Sequence, residues 1–427
     1  MAALGDLLSG VLLVASAIGL SIGAAQLVAL ARHLRRVAPA PRARPPISIL
    51  KPLCGLDDQL ADNLASFAAL PYPDYEVLLG VASAADPAYA VASAVVRRWP
   101  ARFRLVIQYG APGLNPKVNQ LLGLAAAARA DILVISDSNT RVPAGYLDEI
   151  AARLEDPAVG LVTHPIAGVG EDRPGASPGA LAAASPGAAS GTLSGTSSGT
   201  SWGARLDNLH LTGTITPGFV AARALCGKSY VVGKSMAMRR ADITALGGFA
   251  VVKDVLAEDF VLGRLVPERL GKRVALGCAV VECVTVRRSL AAFASRYARW
   301  SVMQRQCAGL PAYLGLLLLN PVLLATLALA LAPARATLIA WGLCVVARAA
   351  GDTLAGRLVR GRAFGPRTLL LVPLKELLAG AAWIYGLGRR SIVWRSNRLV
   401  VGPGSTLTAA AAHAGRSGRS AWAVAKP

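Results

Sequence analysis

The chain has 427 residues, 54% of them hydrophobic, a mean hydropathy of +0.48 and a formal net charge of +21. That composition excludes a disordered or fibrous chain and suits one folded catalytic domain with several membrane spans. The basic excess does not point to nucleic acid, because Lys and Arg gather beside apolar runs and no aromatic-basic RNA motif occurs; anionic lipid head groups are the simpler partner.

Residues 7–31 carry no charge and are long enough to cross a hydrocarbon core of roughly 30 Å with some tilt. Residues 1–6 lack the basic start of a cleaved signal peptide, so 1–36 reads as an uncleaved anchor. Arg32, Arg35, Arg36, Arg42 and Arg44 follow directly and put the middle of the chain in the cytoplasm. Residues 37–46 form a Pro/Arg linker. Beyond it, residues 47–50, 75–81, 104–107 and 132–136 read as strands, and 118–128 as a helix between two of them. This alternation predicts a mostly parallel α/β sheet with its ligand at the carboxyl ends of the strands.

Two aspartates fall just past strand ends. Asp86-Pro87 reads either as a turn or helix cap, or as a polar hook for a base or ribose. Asp137-Ser138-Asn139 reads either as a strand-ending turn or as a metal site, with Asp137 giving a carboxylate to Mg²⁺ or Mn²⁺ and Asn139 a neutral carbonyl. Between them, Asn115-Pro116-Lys117-Val118-Asn119 sets Lys117 at a helix start, either solvated or on a phosphate. Residues 171–204 are Gly, Ala, Ser, Pro and Thr in near-repeats, expected to be a disordered insertion.

Gly233-Lys234-Ser235 looks like the end of a phosphate-binding P-loop, but Lys228 stands where the glycine belongs, so the stretch reads as acceptor-side wall. Glu258-Asp259 is either an exposed acidic pair on a helix or the source of a general base that takes a proton from an acceptor hydroxyl. Arg296, Arg299 and Trp300 share one helix face at i, i+3, i+4 spacing. Two guanidiniums suit diphosphate oxygens, and an indole can stack on a sugar or wall off the acceptor. Residues 284–305 also read as an amphipathic helix on the bilayer surface.

Residues 311–334 and 336–347 are charge-free, and 368–387 is interrupted only by Lys375 and Glu376. Arg348 and Asp352 extend the second run only if they face protein or the interface. Three clean spans would leave the tail outside, whereas Arg389, Arg390, Arg395 and Arg398 favour inside. Either the Lys375–Glu376 segment is re-entrant or interfacial, or one run is not a simple span. The expectation is a membrane region over 306–390 and a basic cytoplasmic tail over 391–427. Six cysteines without paired spacing and four histidines make no zinc constellation, and unpaired thiols agree with a reducing cytoplasm.

In order along the chain, several stretches resemble one family. They are Leu50-Lys51-Pro52-Leu53-Cys54-Gly55, Tyr72-Pro73-Asp74-Tyr75-Glu76-Val77, Asp86-Pro87-Ala88, the Asn115 to Asn119 run and Ser136-Asp137-Ser138-Asn139-Thr140-Arg141-Val142. Gly160-Leu161-Val162, Ala257-Glu258-Asp259-Phe260, the Arg-x-x-Arg-Trp cluster and Trp394-Arg395-Ser396-Asn397-Arg398 complete the set. Together they resemble the ceramide glucosyltransferase family, which also includes bacterial hopanoid glycosyltransferases. The resemblance implies a GT-A fold over 47–305 with transmembrane helices on both sides. It also implies an inverting, metal-dependent transfer of a hexose, glucose, from a UDP-sugar to a ceramide-like lipid. The catalytic domain would face the cytoplasm in a multi-pass membrane protein, read as one of a bacterial inner membrane.

By position, the resemblance gives Asp86 to the uridine part, Asp137 to the metal and diphosphate, and Asp259 the role of general base. Arg296, Arg299 and Trp300 would hold donor or acceptor. Asn139 departs from the Asp that many related transferases carry at the third position of the metal motif. The alternatives are a hopanoid or other lipid acceptor, a processive polysaccharide synthase, and a non-catalytic membrane scaffold. Arg296 stands where synthases often carry Gln, and retention of three carboxylates speaks against the scaffold.

Overall fold

The computed structural model describes residues 2–170, 200–228, 230–394 and 397–409. One long helix, α1 (Ala2–Leu34), leads through an extended linker into β1 (Ile47–Pro52). Then come α2 (Leu60–Ala65), β2 (Tyr75–Val81), α3 (Ala88–Arg98), β3 (Phe103–Ile107), α4 (Pro116–Ala127) and β4 (Ile132–Ile135). The short β5 (Thr140–Arg141), α5 (Tyr146–Leu154), β6 (Val159–Thr163) and β7 (Ile166–Val169) follow. Most of the expected insertion, 171–199, lies outside the described residues. The expected insertion also runs too far: Ser201 caps α6 (Trp202–His210), its hydroxyl accepting from the Ala204 N–H, so 201–204 belong to the fold.

A π-turn, Leu211–Ile215, joins α6 to α7 (Thr216–Cys226). The α/β domain closes with β8 (Met236–Arg239), α8 (Arg240–Ala245), α9 (Glu258–Leu270), β9 (Arg273–Leu276) and β10 (Val281–Val284). Seven strands form one sheet in the order β3-β2-β1-β4-β8-β6-β9. All run parallel except β8, which pairs antiparallel with both β4 and β6. Strands β1, β2, β4 and β6 are buried almost throughout, which is why they read as unbroken apolar runs. One apolar core lies on each face of this sheet, around Ile49, Val77 and Val134 on one side and Leu50, Leu78 and Leu133 on the other.

The amphipathic segment is helical over α10 (Leu290–Ala308), whereas residues 284–289 are the end of β10 and a connecting stretch. Beyond it lie α11 (Leu310–Gly315), α12 (Pro321–Leu331), α13 (Arg335–Arg360), α14 (Pro366–Leu369) and α15 (Val372–Gly388). Among the described residues, three stretches are long and apolar enough to cross a membrane, Ala3–Leu34, Arg335–Arg360 and Pro366–Gly388. The run expected as the first C-terminal span is instead bent by 80° between Leu310–Leu319 and Pro321–Leu331.

Helix α12 lies antiparallel on α1, where the Ser16 hydroxyl donates to the Pro321 carbonyl at 2.9 Å and the Ser9 hydroxyl to Ala328 at 3.0 Å. Arg348 and Asp352 of α13 do face protein. Lys375 Nζ sits 2.7 Å from Asp352 and 3.0 Å from Glu376, and Arg348 Nε is 2.9 Å from Glu376. Two cations and two anions thus cancel inside the helix interface, the arrangement that makes such charges tolerable there.

At the start of α15, Val372 packs with Leu209 of α6; Leu371 just before the helix and Ala382 within it pack with Leu206 of α6 and with Phe293 and Tyr297 of α10. Residues 391–409, expected as a tail, form a three-stranded sheet of β11 (Ser391–Trp394), β12 (Asn397–Val401) and β13 (Leu407–Ala409). Its Ile392, Leu399, Val401 and Leu407 bury against Leu256 and Val302, because alternate residues of these short strands are apolar. Arg395 and Ser396 lie outside the described residues.

Candidate active site

The carboxyl edge of the sheet gathers charges from five parts of the chain. Asp137 follows β4, and Lys234 precedes β8. The β4–β8 register pairs Ile135 with Met236, so continuing it by two residues sets Asp137 opposite Lys234. Lys234 Nζ lies 3.0 Å from Asp137 Oδ2 and 3.0 Å from Asn139 Oδ1. The P-loop look-alike is therefore not a piece of distant wall; it delivers a cation to the metal-motif aspartate.

Lys117 arrives from the other side. Asn115 caps α4, its Oδ1 accepting from the Lys117 and Val118 N–H groups, and Pro116 fills the first turn. The ammonium that results is not solvated. It lies 3.0 Å from Asp137 Oδ1 and 2.8 Å from Glu258 Oε1, and donates to the Gly233 carbonyl at 3.1 Å. A Cβ at Gly233 would lie 2.9 Å from both Lys117 Nζ and Asp259 Oδ2, so a larger residue there would displace these two side chains.

Asp259, in the first turn of α9, accepts from the Gly233 N–H at 2.6 Å and the Phe260 N–H at 2.8 Å. The structure thus brings together Asp137, Lys117 and Asp259 of the expected residues, and adds Glu258 and Lys234. Burial opposes ionisation of Asp137, but Lys117 and Lys234 outweigh it and hold the carboxyl well below its ordinary range. Burial, then the neighbouring Glu258, push Asp259 the other way, up to about 6. Lys117 loses from burial and gains more from Asp137, Glu258 and Asp259, so it stays firmly charged. Two carboxyls in one pocket driven in opposite directions is the signature of divided acid–base labour.

Asp86 stands apart from this cluster and closes a turn before α3: its Oδ1 accepts from the Ala88 N–H and from the Gly55 N–H, both at 2.9 Å. The loop around Gly55 links it to the centre, because Asp57 accepts from the Ser138 hydroxyl, and Asp58 accepts from Val286 and Arg287 N–H at 2.7 and 2.8 Å. Under Asp137, the fully buried Lys51 donates to the Asp137 carbonyl at 2.8 Å and to Ser136 and Thr140 hydroxyls. Burial brings its ammonium down to about 7.

Arg296, Arg299 and Trp300 share α10 as expected, with Arg296 stacked 4.8 Å over the Trp300 ring and Arg299 half-buried beside them. The Arg296 guanidinium is directed at Asp207, 3.6 Å away, so its first partner is a buried carboxylate of α6. Burial opposes the charge on Arg296, but Asp207 outweighs it and raises its pKa.

The C-terminal sheet reaches the same centre. Ser405, in the left-handed region at φ 60°, accepts from the Leu256 N–H through its carbonyl at 2.8 Å and from the Ala257 N–H through its hydroxyl at 3.1 Å. Leu407 N–H donates to the Asp254 carbonyl at 2.7 Å. These bonds pin the residues immediately before Glu258 and Asp259. Ser405→Ala leaves the Ala257 N–H without its acceptor, at a cost of about 1–3 kcal/mol. A lower melting temperature of the detergent-purified chain is the expected result, and an unchanged melt would show that the hydroxyl does not hold the loop.

Asp137 is the carboxylate of the Asp137-Ser138-Asn139 stretch, and among the described residues no three His, Cys, Asp or Glu side chains form a preformed metal centre. One carboxylate fits a divalent ion whose remaining oxygens come from a substrate's phosphates.

The chain thus joins a mostly parallel α/β sheet with a charged carboxyl edge to helices long and apolar enough to cross a membrane. The chain belongs to glycosyl transferase family 21, whose profile matches residues 11–185 and 181–407. It is 33% identical over 130 residues to ceramide glucosyltransferase 1 of Caenorhabditis elegans, a match covering 30% of this chain and 28% of that protein. It is 25% identical over 258 residues to ceramide glucosyltransferase 3 of the same organism, covering 60% and 50%. The chain thus spans half or less of the curated relatives it matches. Among solved structures, a mannosyltransferase from Pyrobaculum calidifontis in complex with GDP-Man and Mn²⁺ superposes with a TM-score of 0.41 at 19% identity, covering 87% of this chain and 99% of that one.

Proposed function

We propose that this chain transfers one hexose, glucose, from a UDP-sugar to the hydroxyl of a ceramide-like lipid, with inversion at the sugar carbon. The observation that carries the reading is Asp259, a carboxyl of raised pKa, beside the Lys117–Asp137–Glu258 cluster at the sheet edge. The relatives named ceramide glucosyltransferases support the choice of acceptor.

In this mechanism the acceptor oxygen attacks the sugar C1 while its proton passes to Asp259. The bond from C1 to the diphosphate oxygen breaks, and the nucleoside diphosphate leaves with the electron pair. Lys117, held charged by three carboxylates, faces the developing negative charge. A divalent ion, Mg²⁺ or Mn²⁺, bound through Asp137 would add positive charge to the leaving group. Asp86, with Gly55 on its other side, suits the uridine end of the donor. Trp300 packs, with Leu378, against the cluster that holds Leu371 and Ala382 where α15 meets α10, and this contact suits the route by which a lipid hydroxyl would reach the site.

The arginines after α1 favour a cytoplasmic catalytic domain. Because Ile392, Leu399, Val401 and Leu407 bury against Leu256 beside the site, we place residues 391–409 on the cytoplasmic side with it.

The test is radiolabelled transfer on membranes carrying the full chain. UDP-glucose, UDP-galactose and UDP-N-acetylglucosamine are each offered with ceramide, a hopanoid polyol and diacylglycerol. Glucosylated ceramide that disappears in Asp259→Asn is the expected product. Product on the hopanoid only would move the acceptor, a long polymer would make the chain a synthase, and no transfer with any pair would make it a scaffold.

A further inference from the structure

We propose that Lys234 is a diphosphate-binding residue, which guards Asp137 in the free protein and passes to the leaving diphosphate when donor binds. The proposal rests on the donor reading above.

Lys234 is nearly buried, and its ammonium is equidistant, at 3.0 Å, from Asp137 Oδ2 and Asn139 Oδ1. Lys117 takes the remaining Asp137 oxygen, Oδ1, at 3.0 Å. All the side-chain oxygens that Asp137 and Asn139 could offer a divalent ion are therefore engaged by ammonium groups. A carboxylate in place of Asn139 would carry a second negative charge here; the chain has a neutral amide bound by Lys234 instead. The centre is accordingly more cationic than a two-carboxylate motif, and the Lys234 charge sits on a side chain that can move.

The backbone around Lys234 is fixed even though its side chain has reach. Ser235 next to it is fully buried: its hydroxyl is 2.7 Å from Tyr146 Oη and 2.8 Å from His164 Nδ1, and its carbonyl accepts from the Thr163 hydroxyl at 2.9 Å. On the other side, Gly233 N–H is bound by Asp259. So one short segment carries both the cation for the leaving group and the N–H that orients the base. A diphosphate arriving at Asp137 offers Lys234 more negative charge than Asp137 alone, and moving the ammonium onto it exposes Asp137 Oδ2 for an incoming ion. Nucleotide and metal should therefore enter together, and the ion alone should bind weakly.

Full-length protein in detergent, as wild type, Lys234→Met, Lys234→Gln and Lys234→Arg, is titrated with UDP and with UMP in metal-free buffer containing EDTA. Mn²⁺ binding without nucleotide is followed by electron paramagnetic resonance. Removing one charged hydrogen bond predicts UDP binding about 10- to 100-fold weaker in the Met and Gln variants, with the Arg variant close to wild type. UMP, which lacks the second phosphate, should lose little. Mn²⁺ should bind the nucleotide-free Met and Gln variants more tightly than wild type. Gln keeps polar contacts to Asp137 and Asn139 and carries the test if Met does not fold. UDP affinity unchanged in both neutral variants, equal losses for UMP and UDP, or no gain in Mn²⁺ affinity would each overturn the assignment. Wild type that binds no UDP with or without Mn²⁺ is a different failure, since it removes the donor reading itself.

Discussion

Asp259→Asn should lower turnover by about 10²- to 10⁴-fold, the usual contribution of a positioned general base, while the purified chain still melts cooperatively. The size of the effect follows from how the cluster divides its charges. Asp137 and Glu258 are each within 3.0 Å of the Lys117 ammonium and are engaged by it. Asp259 instead accepts two backbone N–H groups, which hold its orientation without cancelling its charge. Asparagine keeps the shape but has no basic oxygen, so loss should appear in kcat with the donor KM little changed. A variant within threefold of wild type would put the base elsewhere.

The same residue sets a pH profile. Because burial and Glu258 raise the Asp259 pKa to about 6, the acidic limb of kcat/KM should fall near pH 6 rather than near 4. Stability runs in the opposite sense. A carboxyl whose pKa is higher folded than unfolded contributes stability that is present below about pH 4 and lost as pH rises through about 6. Asp259→Asn cannot ionise, so its melting temperature should gain on wild type between pH 4 and 7. A gap that stays constant across that range would mean the carboxyl titrates normally.

Much of this site is legible in residue order because it depends on local rules. A buried parallel strand ends in a polar residue where the chain must turn, which locates Asp86 and Asp137. Asn-Pro starts a helix, which locates Lys117. Trp300 and its arginines follow from helical spacing. What is not legible depends on pairing between distant segments. Lys234 meets Asp137 only because β8 enters the sheet antiparallel, and the local pattern of Met236 to Arg239 does not state its direction. Asp207 follows a low-complexity stretch and has no motif around it. Residues 391–409 are basic and short-patterned enough to resemble a tail, yet their apolar alternation finds a partner in Leu256, some 140 residues earlier. Lys375 and Glu376 look like an interruption until Arg348 and Asp352 are placed opposite them.

Asp207→Ala should destabilise the chain by about 3–5 kcal/mol, the cost of orphaning buried partner charges, against a total of only about 5–15 kcal/mol for ordinary proteins. The carboxylate is fully buried, with Arg288 at 2.7 Å, Arg296 at 3.6 Å and the Tyr297 hydroxyl donating to it at 2.9 Å. It ties α6 to α10 and to the segment after β10. Burial alone would raise its pKa, but Arg296 and then Arg288 prevail and hold it below the ordinary range. Such a depressed pKa gives stability that is present above about pH 4 and lost as pH falls through the folded value. Wild type should therefore lose more melting temperature on acidification than Asp207→Asn does. Charge balance and packing can be separated by the double variant Asp207→Leu with Arg296→Met. If balance dominates, the pair costs less than Asp207→Ala alone, since only Arg288 is left without its partner, and at 22% exposed it can reach water. A double variant as unstable as the sum of the singles would instead make shape at the α6–α10 contact the larger effect. In either case Arg296 acts first on Asp207, and through it sets where α10 presents Arg299 and Trp300.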